Sequence, residues 1–273
     1  MNDLLDMIAE NFRRPDGADY LDPVTNLVTC GKCGTPKEYD LGEEFGHRKM
    51  PVRCACQKER DEAEENADRL RRAQDLAAER RERCFRSVRL KEASFERDDS
   101  PSSKASEFCR EYAENFAKMK DEGRGIVLYG PVGTGKSYLA AAICNRVIDL
   151  GHTAAIRSIT ELAEDLTRFD RGISDEAKRL LTNVELVVFD DLGTERSSDF
   201  MREGVQRVVD MRYNSALPMI FTTNYSSEKM KQMSTVEEQR LFSRILECCD
   251  FVRLDGADRR KKRYIERRKD GAG

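Results

Sequence analysis

Tryptophan is absent and histidine nearly so, with only His47 and His152 in 273 residues. Chemistry that passes protons through paired imidazoles therefore has little to work with. No apolar stretch approaches the roughly eighteen residues that span a bilayer. The opening Met1-Asn2-Asp3-Leu4-Leu5-Asp6 is acidic and lacks a signal-peptide pattern. A cytoplasmic protein with no membrane partner is expected. One-sided charge is missing too: charged residues make up 36% of the chain, yet the net charge is −3. No global basic field recruits nucleic acid, so any such contact must rest on local patches. Nine cysteines, an odd number, argue in a cytoplasmic chain for metal ligands and buried thiols over disulfides.

The chain is long enough for one full α/β domain and something smaller. Leu4, Ile8 and Phe12 share one face of a short helix ending near Pro15. That face either binds a partner or packs on the cysteine module that follows, over residues 20–58. Residues 58–83 are almost all Glu, Asp, Arg, Lys and Ala, with a thin apolar stripe of Ala63, Ala67, Leu70, Ala73 and Ala77. A solvated helix or helical linker fits that composition. Asp98 to Ser106, with Pro101 and four serines, reads as a boundary loop. From about residue 107 helix-like and strand-like stretches alternate. Helices are expected over 107–121, 138–150, from about 160, and over 199–214; strands over 126–129, 153–158, 186–189, 219–222 and 251–254. This alternation predicts a parallel five-stranded sheet covered on both faces.

Gly130 to Ser137 reads GPVGTGKS, directly after the apolar run Ile126-Val127-Leu128-Tyr129. A buried strand, a glycine-rich turn and a helix start form a phosphate-binding loop. Gly130, Gly133 and Gly135 let backbone N–H groups turn toward an anion, and the helix adds its positive end. Lys136 can reach β- and γ-phosphates and Ser137 can hold Mg²⁺. The candidate nucleotide contacts are thus Gly130, Pro131, Val132, Gly133, Thr134, Gly135, Lys136, Ser137 and Tyr138. Leu186-Val187-Val188-Phe189-Asp190-Asp191 is a buried strand ending in paired carboxylates at the sheet edge where the loop lies. Asp190 is the second candidate magnesium ligand, and Asp191 the group that orients the attacking water. Phe221-Thr222-Thr223-Asn224 ends another strand with a candidate γ-phosphate or water contact, Asn224. Arg240 and Arg244 lie four apart on one helix face. They are either surface arginines or cations for a phosphate held by a neighbouring subunit.

Cys30-Gly31-Lys32-Cys33 and Cys54-Ala55-Cys56 give C-x₂-C, twenty intervening residues, then C-x-C. Four thiolates suit tetrahedral Zn²⁺ in a structural role, with His47 as an alternative to one of the cysteines. Zinc would supply much of the folding free energy of so small a module. Cys84, Cys109, Cys144, Cys248 and Cys249 have no partnering spacing and read as packing residues. Residues 259–269, RRKKRYIERRK, form a basic tail that either binds DNA phosphates or keeps the chain end soluble. Arg168-Phe169-Asp170-Arg171 is either a single-strand contact or a surface loop.

GPVGTGKS, LVVFDDLGTE, RYNSALPMIFTTN and RLFSRI, in this order, resemble the AAA+ ATPases of the bacterial and phage helicase-loader family, the DnaC-like proteins. The insertion-sequence helper ATPases, IstB-like, share nearly the same core. The resemblance covers about residues 90–260. It implies an AAA+ α/β domain, ATP and Mg²⁺ as cofactors, Asn224 as sensor 1, and Arg244 as an arginine finger acting across a self-oligomer interface beside Arg240. Gly256 to Arg260 fits a late Gly-x-x-x-Arg setting and adds Arg260 as a nucleotide contact. AAA+ enzymes usually follow the metal aspartate with glutamate; here Asp191 is one methylene shorter, which implies slow hydrolysis stimulated by a partner. Glu195, a few residues further along the chain, is a candidate to assist. Many such proteins use the segment ahead of the domain for adenine, which points to Phe95. Loaders and their relatives often carry an N-terminal zinc module that meets the helicase; the helper ATPases generally do not. The expected organisation is a zinc module over 1–57, a charged helical linker and lead-in over 58–100, an AAA+ domain over 101–258 and a basic tail over 259–273. The expected function is ATP-dependent loading of a replicative helicase on single-stranded DNA. The alternatives are a transposase helper ATPase and a nucleotide-switched adaptor with little turnover.

Overall fold

The computed structural model describes residues 18–168, 170–193, 199–225, 235–259 and 261. They fall into two units that divide between Gln74 and Asp75, inside the stretch expected to be a linker. In the first unit β1 (Tyr20–Leu21) pairs antiparallel with β2 (Val28–Thr29), and β3 (Glu38–Asp40) with β4 (Lys49–Pro51). Thr29, Cys30 and Cys54 are its only buried residues among those described. The described residues of this unit form no apolar core, a situation in which small units rely on a cross-link. Helix α1 (Ala55–Cys84) starts beside Cys54 and spans the division. Strong helix formers without an interior glycine or proline carry it. An i,i+4 pair, Glu79 with Arg83 at 2.6 Å, supports its last turns.

The second unit is built on β5 (Gly125–Tyr129), β6 (Ala154–Ser158), β7 (Leu186–Leu192), β8 (Met219–Thr223) and β9 (Cys249–Arg253). All five run parallel in the order β6-β7-β8-β5-β9. The helices are α2 (Val88–Lys91), α3 (Lys104–Glu114), α4 (Phe116–Asp121), α5 (Lys136–Asp149), α6 (Ile159–Thr167), α7 (Arg171–Asn183), α8 (Asp199–Asn214) and α9 (Val236–Cys248). Side chains alternate across each strand. Ile126, Leu128, Leu186, Val188 and Ile220 therefore pack with α3 and α5 in one core. Val127, Val187, Phe189, Met219 and Phe221 pack with α6, α7, α8 and α9 in the other. Cys84, Cys109, Cys144 and Cys249 are buried in these cores, and all nine cysteines are free thiols.

Three expectations need correction. The helix expected over 107–121 is two helices, broken at Asn115, whose side-chain amide donates to the Glu111 carbonyl at 2.9 Å. The single helix expected after β6 is also two. Asp170 starts the second by accepting the N–H groups of Gly172 and Ile173 at 2.9 and 3.4 Å. The lead-in to the domain is no linker. Phe85, Ala93 and Phe95 are buried in the first core. Asn145 of α5 donates to the carbonyls of Lys91 and Ala93 at 3.2 and 2.8 Å. Arg157 of β6 donates to those of Arg83 and Cys84 at 2.9 and 2.7 Å.

Arg212, near the end of α8, is fully buried and meets no carboxylate among the described residues. Its guanidinium donates to the carbonyls of Leu181, Val184, Glu185 and Pro218 at 2.6–3.2 Å. The first three lie at the end of α7 and the start of β7, where helix carbonyls run out of partners, and the Pro218 carbonyl, just ahead of β8, also accepts the Val187 N–H at 3.5 Å. Burial pushes the Arg212 pKa down, yet the planar fork keeps every donor engaged. Arg212→Met leaves those carbonyls stranded and is expected to cost about 3 kcal/mol, read as a lower urea midpoint at unchanged slope.

Glu185 closes the opposite end of the sheet from the phosphate loop. It accepts from Lys120 at 2.8 Å and from the Thr153 N–H at 2.8 Å, and meets His152 at 3.2 Å. Burial raises its pKa, but these donors outweigh it and hold the carboxyl at about 2. A carboxylate lowered on folding stabilises above its unfolded pKa and loses that contribution as pH falls toward the folded value. The wild-type urea midpoint is therefore expected to fall more steeply between about pH 5 and pH 2 than that of Glu185→Gln.

Candidate nucleotide site

The turn between β5 and α5 demands glycine at two places. Gly130 has φ 138°, and a Cβ there would lie 2.2 Å from the Leu254 carbonyl oxygen. Gly135 has φ 101° and sits 3.0 Å, by the same measure, from the Arg259 guanidinium carbon. Neither place tolerates another residue. The Lys136 ammonium is buried and donates to the carbonyls of Gly130 and Pro131 at 2.9 and 2.8 Å. The Thr134 hydroxyl donates to Pro131 at 2.9 Å.

The acids at the end of β7 depend on a bulge. Phe189 pairs with Phe221 and Leu192 with Thr223, so Asp190 and Asp191 together oppose Thr222. Asp191 takes the left-handed conformation, φ 61°. In a regular strand, neighbouring side chains point to opposite faces; the extra residue re-aims them. Both carboxylates then line one cavity of ≈ 530 Å³ with Lys136, Ser137, Asn224 and Arg259. Ser137 Oγ donates to Asp190 Oδ1 at 2.8 Å and Thr222 Oγ1 to the same oxygen at 2.5 Å. Thr222 Oγ1 also accepts the Asp191 N–H at 2.9 Å. A hydroxyl and a carboxylate so close are hard oxygen donors of the kind Mg²⁺ takes. Thr222 escaped the sequence reading, although it stands in the quoted FTTN.

The other expected contacts divide. Val132, Gly133, Gly135 and Tyr138 line the same cavity; Gly130 and Pro131 act through the carbonyls that hold Lys136. Thr134 lines a second cavity of ≈ 460 Å³ with Ser103, Lys104, Leu139, Leu254 and Arg259. This cavity lies on the β9 side of the loop, away from β7. Arg259 borders both: its N–H donates to the Gly133 carbonyl at 2.9 Å and its guanidinium to Asp98 at 2.8 Å. Burial drives the Asp98 pKa up, but Ser106 and Arg259 reverse this and leave it below the usual carboxylate range. Arg260, which the resemblance implies as a nucleotide contact, lies outside the described residues; its neighbour Arg259 lines both cavities. Phe95 is a correction as well. It is buried in the first core under Arg110, 5.2 Å from ring centre to guanidinium, and lines neither cavity.

Arg244 faces its own chain, paired with Asp210 and 5.7 Å from the Tyr213 ring centre. Arg240, one turn earlier on α9, is exposed. Glu195, Phe169, the Leu4-Ile8-Phe12 face and the basic tail beyond Lys261 lie outside the described residues.

In the first unit Cys30, Cys33, Cys54 and Cys56 place their sulfurs within 4.8 Å of one another. Cys56 Sγ is 3.6 Å from Cys30 Sγ and 3.5 Å from Cys54 Sγ. Zn–S bonds of about 2.3 Å in a tetrahedron put sulfurs about 3.8 Å apart, so the set fits zinc. Thr35 ties the two halves: its hydroxyl lies 3.0 Å from Cys33 Sγ and accepts the Ala55 N–H at 2.9 Å. His47 instead meets Asp40 at 2.9 Å and stands outside the cluster.

No helix among the described residues is long and apolar enough to cross a membrane. The IstB-like ATP binding protein family matches residues 62–267. The replicative helicase loader DnaI of Bacillus subtilis is 29% identical over 55% of this chain and 53% of its own length. The replicative helicase loader DnaC of Escherichia coli K12 is 29% identical over 48% of this chain and 52% of its own. The chain thus spans about half the length of the curated relatives it matches. Among solved structures, the DnaC helicase loader superposes with TM-score 0.50 at 26% identity, covering 62% of this chain and all of that one. DnaI superposes with TM-score 0.55 at 23% identity, covering 66% and 98%, and shares the fold. Sheet order, phosphate loop, paired aspartates and family match agree: the fold is AAA+, and the chain belongs to the IstB-like ATP-binding proteins.

Proposed function

We propose that this protein loads a ring-shaped replicative helicase onto single-stranded DNA under the control of ATP. The observation that carries the reading is the Ser137–Asp190 pair beside Lys136, in a chain whose relatives include replicative helicase loaders. The strand order supports one orientation of the nucleotide. The acids of β7 and the Asn224 end of β8 lie on one side of β5, so the γ-phosphate belongs there. The base then points toward β9, into the cavity of Ser103, Lys104, Leu139 and Leu254, with Arg259 between the two. Binding of the triphosphate requires Lys136 to exchange two carbonyls for phosphate oxygens. Mg²⁺ held by Ser137 and Asp190 would offset charge on the transferring phosphoryl group. Asp191 orients the attacking water and Asn224 donates to it or to the γ-phosphate. The short Asp191 side chain and its fixed left-handed backbone favour slow hydrolysis that partner contact accelerates. For Arg244 to act on a neighbour's nucleotide, its pair with Asp210 must first open, which makes interface formation a switch.

Helicase pull-down from the native host, followed by mass spectrometry, tests the partner. The IstB-like relationship supports a second reading, a transposase helper; recovery of a transposase in place of a helicase would select it. Phosphate release is expected to be slow for the protein alone, faster with helicase and single-stranded DNA, and lost in Asp191→Asn. No turnover under any of these conditions selects the adaptor reading. Lys136→Ala and Asp190→Asn should each weaken Mg²⁺-dependent ATP binding by about tenfold or more in calorimetric titration.

Zinc at the four cysteines would replace the missing core of the first unit. One zinc per chain is expected in metal analysis. Cys30→Ser should lower zinc content and melt the first unit, while ATP binding by the second persists.

A further inference from the structure

The cavity that receives the triphosphate has a wall that no phosphate-binding motif contains. Ser87, just ahead of the short helix α2, and Arg89 and Leu90 within it line it together with Ser137, Asp190, Asp191 and Asn224. None of the three lines the cavity on the β9 side. Their flank of the sheet is set by their neighbours. Arg157 of β6 holds the chain just before them, and Arg86 pairs with Glu161 of α6 at 2.9 Å. Strand β6 is next to β7 at the edge far from β9. Helix α2 therefore borders the phosphate end of the site, across the loop from Arg259.

The segment is fixed at both ends. Cys84 and Phe85 are buried before it and Ala93 after it, with Leu90 packed on the same core. Asn145 of α5 binds the carbonyls of Lys91 and Ala93, and the Tyr138 hydroxyl donates to that of Ser94 at 2.9 Å. The helix that begins in the phosphate loop thus fixes the position of α2 at the cavity. Within this segment the basic side chains are largely spoken for. Arg81 pairs with Asp149, Arg83 with Glu79, Arg86 with Glu161 and Lys91 with Glu82. Arg89 is exposed, lines the cavity and has no carboxylate or hydrogen-bond partner among the described residues. A guanidinium at the mouth of an anion site, on an anchored backbone, loses little entropy on taking a phosphate oxygen.

We propose that Arg89 is a γ-phosphate-binding residue supplied by the protein's own chain, so that α2 discriminates ATP from ADP. This rests on the reading of the cavity as the ATP site. The test is calorimetric titration of the full-length protein with Mg²⁺ and ATP, and separately with Mg²⁺ and ADP, for wild type, Arg89→Gln and Arg89→Lys. Arg89→Gln should bind ATP about tenfold more weakly while its ADP affinity stays within about twofold of wild type. Arg89→Lys should recover part of the loss, because a point charge remains where the fork is gone. An unchanged ATP-to-ADP ratio in Arg89→Gln, whether both affinities fall or neither does, overturns the proposal and leaves the ATP site standing. Wild type that binds neither nucleotide overturns the site reading and this one with it.

Discussion

One carboxylate oxygen holds the candidate site together. Asp190 Oδ1 accepts the hydroxyls of Ser137 and Thr222, so a single atom joins the start of α5, the end of β7 and the end of β8. Hydrogen bonds to a charged acceptor contribute about 1.5–3 kcal/mol each. One of them fixes the phosphate loop against the acidic strand, and the other fixes that strand against β8. The Ser137 hydroxyl and the Asp190 carboxylate are hard oxygen donors of the kind that would hold a magnesium ion.

Much of this was legible in the amino-acid order. GPVGTGKS after an apolar run and LVVFDD later both fall where a parallel sheet puts its carboxyl edge, and the expected strands differ from those observed by a few residues at their ends. The unreadable parts share a cause: they depend on contacts between distant segments. The lead-in around Phe85 and Ala93 is charged and helix-prone by composition, yet its few apolar residues dock on α5. Arg259 and Arg260 are indistinguishable as letters. Only the path of the chain out of β9 decides which one meets Gly133 and Asp98. Nothing in RYNSALP marks Arg212 for burial, because the carbonyls it serves come from four separate residues, Leu181, Val184, Glu185 and Pro218.

The two units solve the problem of stability differently. The sheet unit buries apolar residues on both faces, and hydrogen bonds to buried cations such as Arg212 serve the chain ends that the sheet leaves open. Among its described residues the cysteine unit has almost nothing buried. Its fold rests on two short hairpins, one threonine that bridges the halves, and four sulfurs close enough to share an ion.

The bulge in β7 also changes the phase of the strand. Phe189 and Leu192 both enter the second core, although residues three apart on an uninterrupted strand face opposite ways. The added residue acts as a half-step that lets the chain leave the core, present two acids to solvent and return to the same side. Deleting Asp191 would restore regular pairing and keep Leu192 on the core face, two places after Phe189, but would leave a single acid opposite Thr222. The extra residue is therefore what lets two carboxylates fit between apolar anchors that a regular strand would separate by one.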